Sequence, residues 1–528
     1  MKKYQSIFLA AFAFSFVACE PEFEHPVTNE SYSKGEADFT TYVALGNSLT
    51  SGFMDGTMYR SGQQYSFPNL LAKQFAVVGG GSFTQPSFTD DTNDMGGLLF
   101  MGQPVAATRL ILNMSTSSPE NLTGVPTIEI SNLQAKAYNN MGVPLAKSFH
   151  LLASGYGNLA NMATGTANPY FVRHATSPNT TILSDAMSLN PTFFTNWIGS
   201  NDVLSYATSG GVGVNQEGNL DPTTYGSNDI TDPQVFEAAY KTIINTLTSN
   251  GAKGVVATIP DITSIPHFTT VPYNPLTAEG LGGETVVKQL NETLFEKMKA
   301  VLSILGQGDR IQTFNSNQGN PLLIIDEDLA DLSQQITTIV SQDQQLAPLA
   351  PILGQLYGKA RHATKSDLFV LGTSSVIGSA SQSAILENVP SPYKELLGKI
   401  GVTFPLEDKY VLIPSEQQQI KTATDKFNDI IWSVSGSKKL AIADMNAIMR
   451  YLTSGIRLSD GQLYTADYFK GTENMNKVLF SLDGVHPNPR GYAFVANEIL
   501  KVINEHYKSN LPLLVPGNYP GVTIKASN

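Results

Sequence analysis

The chain has 528 residues, 41% of them hydrophobic and 15% charged, a balance that suits a folded protein with a large core and excludes a disordered or low-complexity one. Lys and Arg number 33 against 45 Asp and Glu, so the net charge is −12 and no basic cluster offsets it. Such a surface repels phosphate backbones, and nucleic acid is not an expected partner.

Taken in chain order, MKK and the apolar run YQSIFLAAFAFSFVA read as an export signal over 1–18, too short for a comfortable membrane span. The small residue before Cys19 in FVAC resembles the lipobox of bacterial lipoproteins, which implies cleavage before Cys19 and its acylation. Cys19 is the only cysteine, so lipidation would leave neither a free thiol nor a disulfide. Acyl chains there would hold a folded body at the membrane of a bacterial envelope. Residues 19–38 are polar and acidic and read as a flexible tether. Their EPEFE start resembles surface-export signals of some Bacteroidetes lipoproteins and points to the outer membrane.

The body opens with TYVALGNSLTSGF, residues 41–53. Tyr42, Val43, Ala44 and Leu45 predict a buried strand, which empties at Gly46 into a turn carrying Ser48. The chain must turn sharply there to present Ser48, with the glycines leaving room around it. A loop-rich region follows to about 135, with a short helix predicted at 67–75. A second strand ends at GSND (199–202) and a third runs through AKGVVATIPDI (252–262). Residues 263–407 differ: helical stretches broken by Pro and Gly clusters such as APLAPILG read as an insertion, a cap over the strand ends or a side subdomain. Helical spacing returns at Ile420, Ala423, Phe427, Ile430, Ile431 and Val434, with Ser415 and Gln418 as a capping box. KLAIADMNAI predicts another buried strand, Asn488 and Pro489 open a last helix, and 511–528 form a C-terminal tail. Buried strands alternating with helices predict an α/β fold: three αβα layers around a mainly parallel sheet, its core made of 39–262 and 408–510.

Open sheets of this class bind ligands at the carboxyl ends of their strands, and that is where the notable polar residues fall. Ser48 and Asn201 follow predicted strands, while Asp483 and His486 sit in SLDGVHPNPRG just before the last helix. The other six histidines lack metal-ligand spacing, and GGG at 79–81 lacks a nucleotide-loop context, so no metal and no cofactor are expected.

Together these segments resemble the SGNH hydrolases, or GDSL esterase/lipase family, whose four blocks occur in order: GNSLTSG (46–52), NNMGVPLAK (139–147), GSND (199–202) and DGVHP (483–487). The resemblance covers the core and leaves the insertion unassigned. It implies a flavodoxin-like hydrolase core and a Ser-His-Asp triad of Ser48, His486 and Asp483 that hydrolyses carboxylic esters through an acyl-serine intermediate. It also implies an oxyanion hole from the backbone N–H groups of Ser48 and Leu145 and the amide of Asn201. Two positions depart from the family pattern. Asn47 stands where the family has the aspartate of its name, and Leu145 where a glycine is usual. Gly142 is therefore an alternative donor, and the bulk of Leu145 favours a short acyl group. The substrate expected is an acylated glycan or lipid. The alternative is a catalytically silent lipoprotein of the same fold that binds such a molecule.

Overall fold

The computed structural model describes residues 31–524 apart from 87, 116–117 and 459–460, so the export signal, Cys19 and the first part of the tether lie outside the described residues. Five parallel strands form the central sheet: β1 (Tyr42–Gly46), β2 (Asn140–Gly142), β3 (Phe193–Trp197), β4 (Lys253–Ala257) and β5 (Ala441–Ala443). Their spatial order, read from one edge, is β2-β1-β3-β4-β5. The chain leaves β1 towards one edge and returns across it to β3, which makes the β1/β3 boundary the switch point of the sheet. Gly46 and Trp197, the last residues of these two strands, lie opposite each other in register.

Strand periodicity sorts the side chains into two cores. Val43, Leu45, Phe194 and Val256 point to one face, where α2 (Ile182–Ser188), α3 (Asn201–Thr208), α4 (Pro233–Leu247) and α5 (Pro414–Ser437) cover them. Tyr42, Ala44, Phe193, Val255 and Ala257 point to the other, under α1 (Phe67–Ala76) and α7 (Pro489–Tyr507). Every residue of β1 and β3 is buried, as expected of parallel strands covered on both faces. The result is the three-layer αβα arrangement.

A third large core belongs to residues 271–413, which lie between β4 and α5. It holds two small antiparallel pairs, Leu323–Ile325 with Ala360–His362 and Leu368–Phe369 with Val411–Leu412, packed with helices Glu296–Ile304, Ser333–Val340 and Ala350–Tyr357. Within the APLAPILG break the chain is helical from Ala350 on, because Pro351 sits in the first turn, where a missing N–H costs nothing.

The start of α5 departs from the expected capping box. Pro414 is already helical and the N–H of Ile413 is bound by the Glu416 carboxylate at 2.8 Å, so Ser415 and Gln418 do not cap it. At the other helix the expectation matches the geometry, since Asn488 Oδ1 accepts the N–H of Gly491. The tether docks before its expected end: Glu36 N–H donates to Tyr507 O and Ala37 is buried. The tail after 511 lies along α7, with the Asn497 amide bonded to Leu514. No described helix is long and apolar enough to cross a membrane.

Candidate active site

Ser48 opens a one-turn helix, Ser48–Ser51, directly after β1. Asn47 caps that turn by accepting the Leu49 N–H at 3.1 Å, a job its amide oxygen does as an aspartate would. Gly46 is required for a reason other than room around Ser48. A Cβ there would lie 2.1 Å from Thr50 Oγ1 and 2.5 Å from the Trp197 carbonyl. The missing side chain lets the turn close against β3, and Thr50 already fills the space.

The loop before α7 brings Asp483 and His486 to the same point. His486 Nε2 lies 2.8 Å from Ser48 Oγ, and its Nδ1 lies 2.9 Å from Asp483 Oδ2. With Asp483 ionised, Nδ1 carries the proton and Nε2 is free to accept one from Ser48. Burial opposes ionisation of Asp483. The charge and hydrogen bond of His486, with the N–H groups of His486 and Val485, outweigh it and hold the carboxyl well below the usual carboxylate range. Phe53 packs against the imidazole with ring centroids 4.7 Å apart.

Three further groups are the donors that the oxyanion hole expected from the sequence would use. Ser48 is the first residue of its turn, so its N–H has no partner among the described residues. Leu145 has φ +67°, and its N–H is likewise unpaired among the described residues. Gly142 cannot replace it, because its N–H donates to Asn140 Oδ1 at 3.0 Å and a Cβ there would strike the Ser51 nitrogen. Asn201, first residue of α3, donates one amide hydrogen to Ala146 O at 3.1 Å and keeps its second for another acceptor. That bond also ties Asn201 to the residue following Leu145. The Leu145 side chain is 62% exposed, so it does not narrow the site as expected from its size.

Several residues that hold this arrangement escaped the sequence reading. Asp55, in a left-handed conformation at φ +53°, accepts the Leu482 N–H at 3.0 Å and the Tyr59 hydroxyl at 2.9 Å. Its own N–H donates to Ser481 Oγ, that hydroxyl donates to Asp483 Oδ1, and the Gly56 N–H donates to Asp483 Oδ2, each at 3.0 Å. Met54-Asp55-Gly56 is thus a clamp on the loop that carries the triad. Burial pushes the Asp55 carboxyl up to about 6, with the Leu482 N–H opposing and the nearby Asp483 charge adding to it. The only sequence signal was an acidic residue next to glycine shortly after Ser48.

From the insertion side, His267 N–H donates to Gly484 O at 2.9 Å. Burial lowers the pKa of that imidazole, against the opposing pull of Asp483. Asp202, the last residue of GSND, is buried and accepts both the Ser148 N–H and hydroxyl, locking the Leu145 loop to α3.

An apolar cleft opens beside the triad on the β3–β4–β5 side. Ser48, His486, Trp197, α6 (Met445–Ser454) and α7 line it. Asp444, at the end of β5, caps α6 through the Ala447 N–H and has a structural part.

Among the described residues, one group has metal-ligand spacing. Glu327, Asp408 and Glu416 offer carboxylate oxygens within 4.8 Å of one another, where the 271–413 region meets α5. Burial, with Glu327 and Asp408 nearby, pushes Glu416 up to about 9, so it carries a proton at neutral pH. The chain matches no protein-family model, and comparisons with curated proteins and with solved structures find no similar protein.

Proposed function

We propose that this protein is a serine esterase of the SGNH type, hydrolysing carboxylic esters through an acyl-serine intermediate. One observation carries the reading: a continuous Asp483–His486–Ser48 hydrogen-bond chain at the switch point of a parallel sheet, with the Ser48 N–H unpaired among the described residues. Serine is a weak nucleophile unless a base takes its proton as it attacks. His486 Nε2 would take the Ser48 proton while Oγ bonds the ester carbonyl carbon. Asp483 would keep the imidazole in the correct tautomer and stabilise the imidazolium.

The N–H groups of Ser48 and Leu145 and the free amide hydrogen of Asn201 would receive the negative oxygen. His486 would then return the proton to the leaving alcohol. Water, activated by the same imidazole, would release the acid and restore Ser48. This sequence calls on side chains and backbone of the chain alone. Acylation of Cys19 would tether the enzyme to the bacterial envelope, in the outer membrane, facing acylated lipid or glycan substrates.

Labelling with a fluorophosphonate probe tests the reading. Wild type should be modified at Ser48, and Ser48→Ala should be neither labelled nor active. A folded wild type that resists the probe and cleaves no ester would reject catalysis and favour a silent binding lipoprotein.

A further inference from the structure

The cleft beside Ser48 is not shaped or lined for a small polar acyl group. Met445, Met449 and Leu452 of α6 form one wall, Ile262 and Ile265 another, and Phe494 of α7 a third. Each of these side chains is more than nine-tenths buried. Trp197, which also lines the cleft, has its only polar atom bound to Thr258 O at 3.1 Å, so it too offers a purely apolar surface.

The polar lining residues are Asn47, Ser48, Ser200 and His486. All four belong to the strand-end segments and the triad loop, the reacting end of the cleft, and beyond them the lining offers hydrocarbon. An acetyl group would leave the apolar walls beyond the reacting end uncovered, and a sugar would lose its hydrogen bonds to water there with none in return. A hydrocarbon chain meets neither objection. Leu145, the reason for expecting a short acyl group, is absent from the lining and points to solvent.

We infer that this cleft is the acyl-chain site and that the substrate is an ester of a medium- or long-chain fatty acid, its acyl chain running under α6. The inference rests on the esterase reading, since it takes Ser48 as the atom to which that chain becomes attached. Two methionines on the α6 wall suit the role, because an unbranched thioether adapts to chains of varied length. The cleft is walled by α6, α7 and the strand ends, with little from the insertion, so chain length is read by the core itself.

The test measures kcat/KM of the full-length protein on p-nitrophenyl esters from acetate to dodecanoate. The expected result is a rise of roughly fourfold per added methylene through octanoate, the factor equivalent to burying one CH₂. A preference for acetate with a steady fall on lengthening overturns the inference and leaves the esterase reading standing. Absence of cleavage at every length, with Ser48 unreactive to fluorophosphonate, overturns both. Met449→Trp, which fills the cleft, should lower the octanoate-to-acetate ratio at least about tenfold. An unchanged ratio in that variant would place the acyl chain elsewhere. Alkyl fluorophosphonates of graded length supply a second reading on wild type alone: inactivation should quicken with chain length, and a flat series overturns the proposal.

Discussion

Two carboxylates in this molecule, Asp483 and Glu416, behave in opposite ways. Asp483 receives five hydrogen bonds: Ser481 Oγ, Val485 N–H and His486 N–H on one oxygen, Gly56 N–H and His486 Nδ1–H on the other. Glu416 receives a single backbone N–H, from Ile413, and its neighbours Glu327 and Asp408 are acids. No lysine or arginine forms an ion pair with those three among the described residues. Both carboxylates are withdrawn from water, yet one is held ionised and the other protonated. Burial by itself raises a carboxyl pKa, and the charge of His486 together with the N–H donors around Asp483 reverses the sign. The triad aspartate is a charge because the loop around it was built to keep it one.

The comparison can be broken at several points. Asp483→Asn removes the charge while keeping the shape, leaves His486 in the wrong tautomer and should lower kcat by about 10⁴-fold. A loss below tenfold in steady-state assays would mean that the charge is idle. Asn201→Ala deletes a neutral donor instead, and kcat should fall by about 10²–10³ with KM little changed. If KM rises and kcat holds, Asn201 binds substrate and does not face the oxyanion.

Asp55→Ala should cost about 10²-fold in kcat, because the Leu482 N–H and Tyr59 hydroxyl lose their acceptor and the triad loop loosens. Asp55→Asn, which keeps one acceptor oxygen, should recover part of that loss. If the two variants are equally impaired, the charge of Asp55 matters and not its grip on the loop.

The smallest effect is expected at Glu416. Its folded-state pKa lies above the ordinary 4.5, so the folded chain binds the proton more tightly than the unfolded one. Stability from this group is therefore lost as pH rises from about 4.5 to about 9. Asp483 has the opposite sign, adding stability above the ordinary carboxylate range and losing it on acidification. Glu416→Gln should thus gain on wild type by about 1–3 °C in Tm between neutral pH and pH about 9. A gap that does not change with pH would show that the cluster is held by something other than a shared proton.

The candidate site was legible because its residues sit at places where local sequence announces them. GNS and GSND each follow an apolar β-branched or aromatic run, and DGVHP precedes an Asn-Pro helix start. The supports were not legible. Asp55 meets Leu482 across 427 positions, and His267 meets the Asp483 loop across 216. Contacts of that span carry no periodic signal, and an acidic residue in a loop looks like any other. Leu145 misled for a related reason: side-chain size is written in the sequence, whereas its direction is set by a φ of +67°.

What the sequence determined by itself was the alternation of buried strands and helices, hence the three layers, and the polar residues stationed at the strand ends. Both follow from local rules, the two-residue period of a strand and the turn chemistry of Gly, Asn and Ser. Only the tertiary structure decided the strand order that sets β1 beside β3, the His486 contact and N–H donors that keep Asp483 ionised, and the apolar cleft under α6. Those depend on which segments meet in space, and the packing of the whole chain, not any local run of residues, settles that choice.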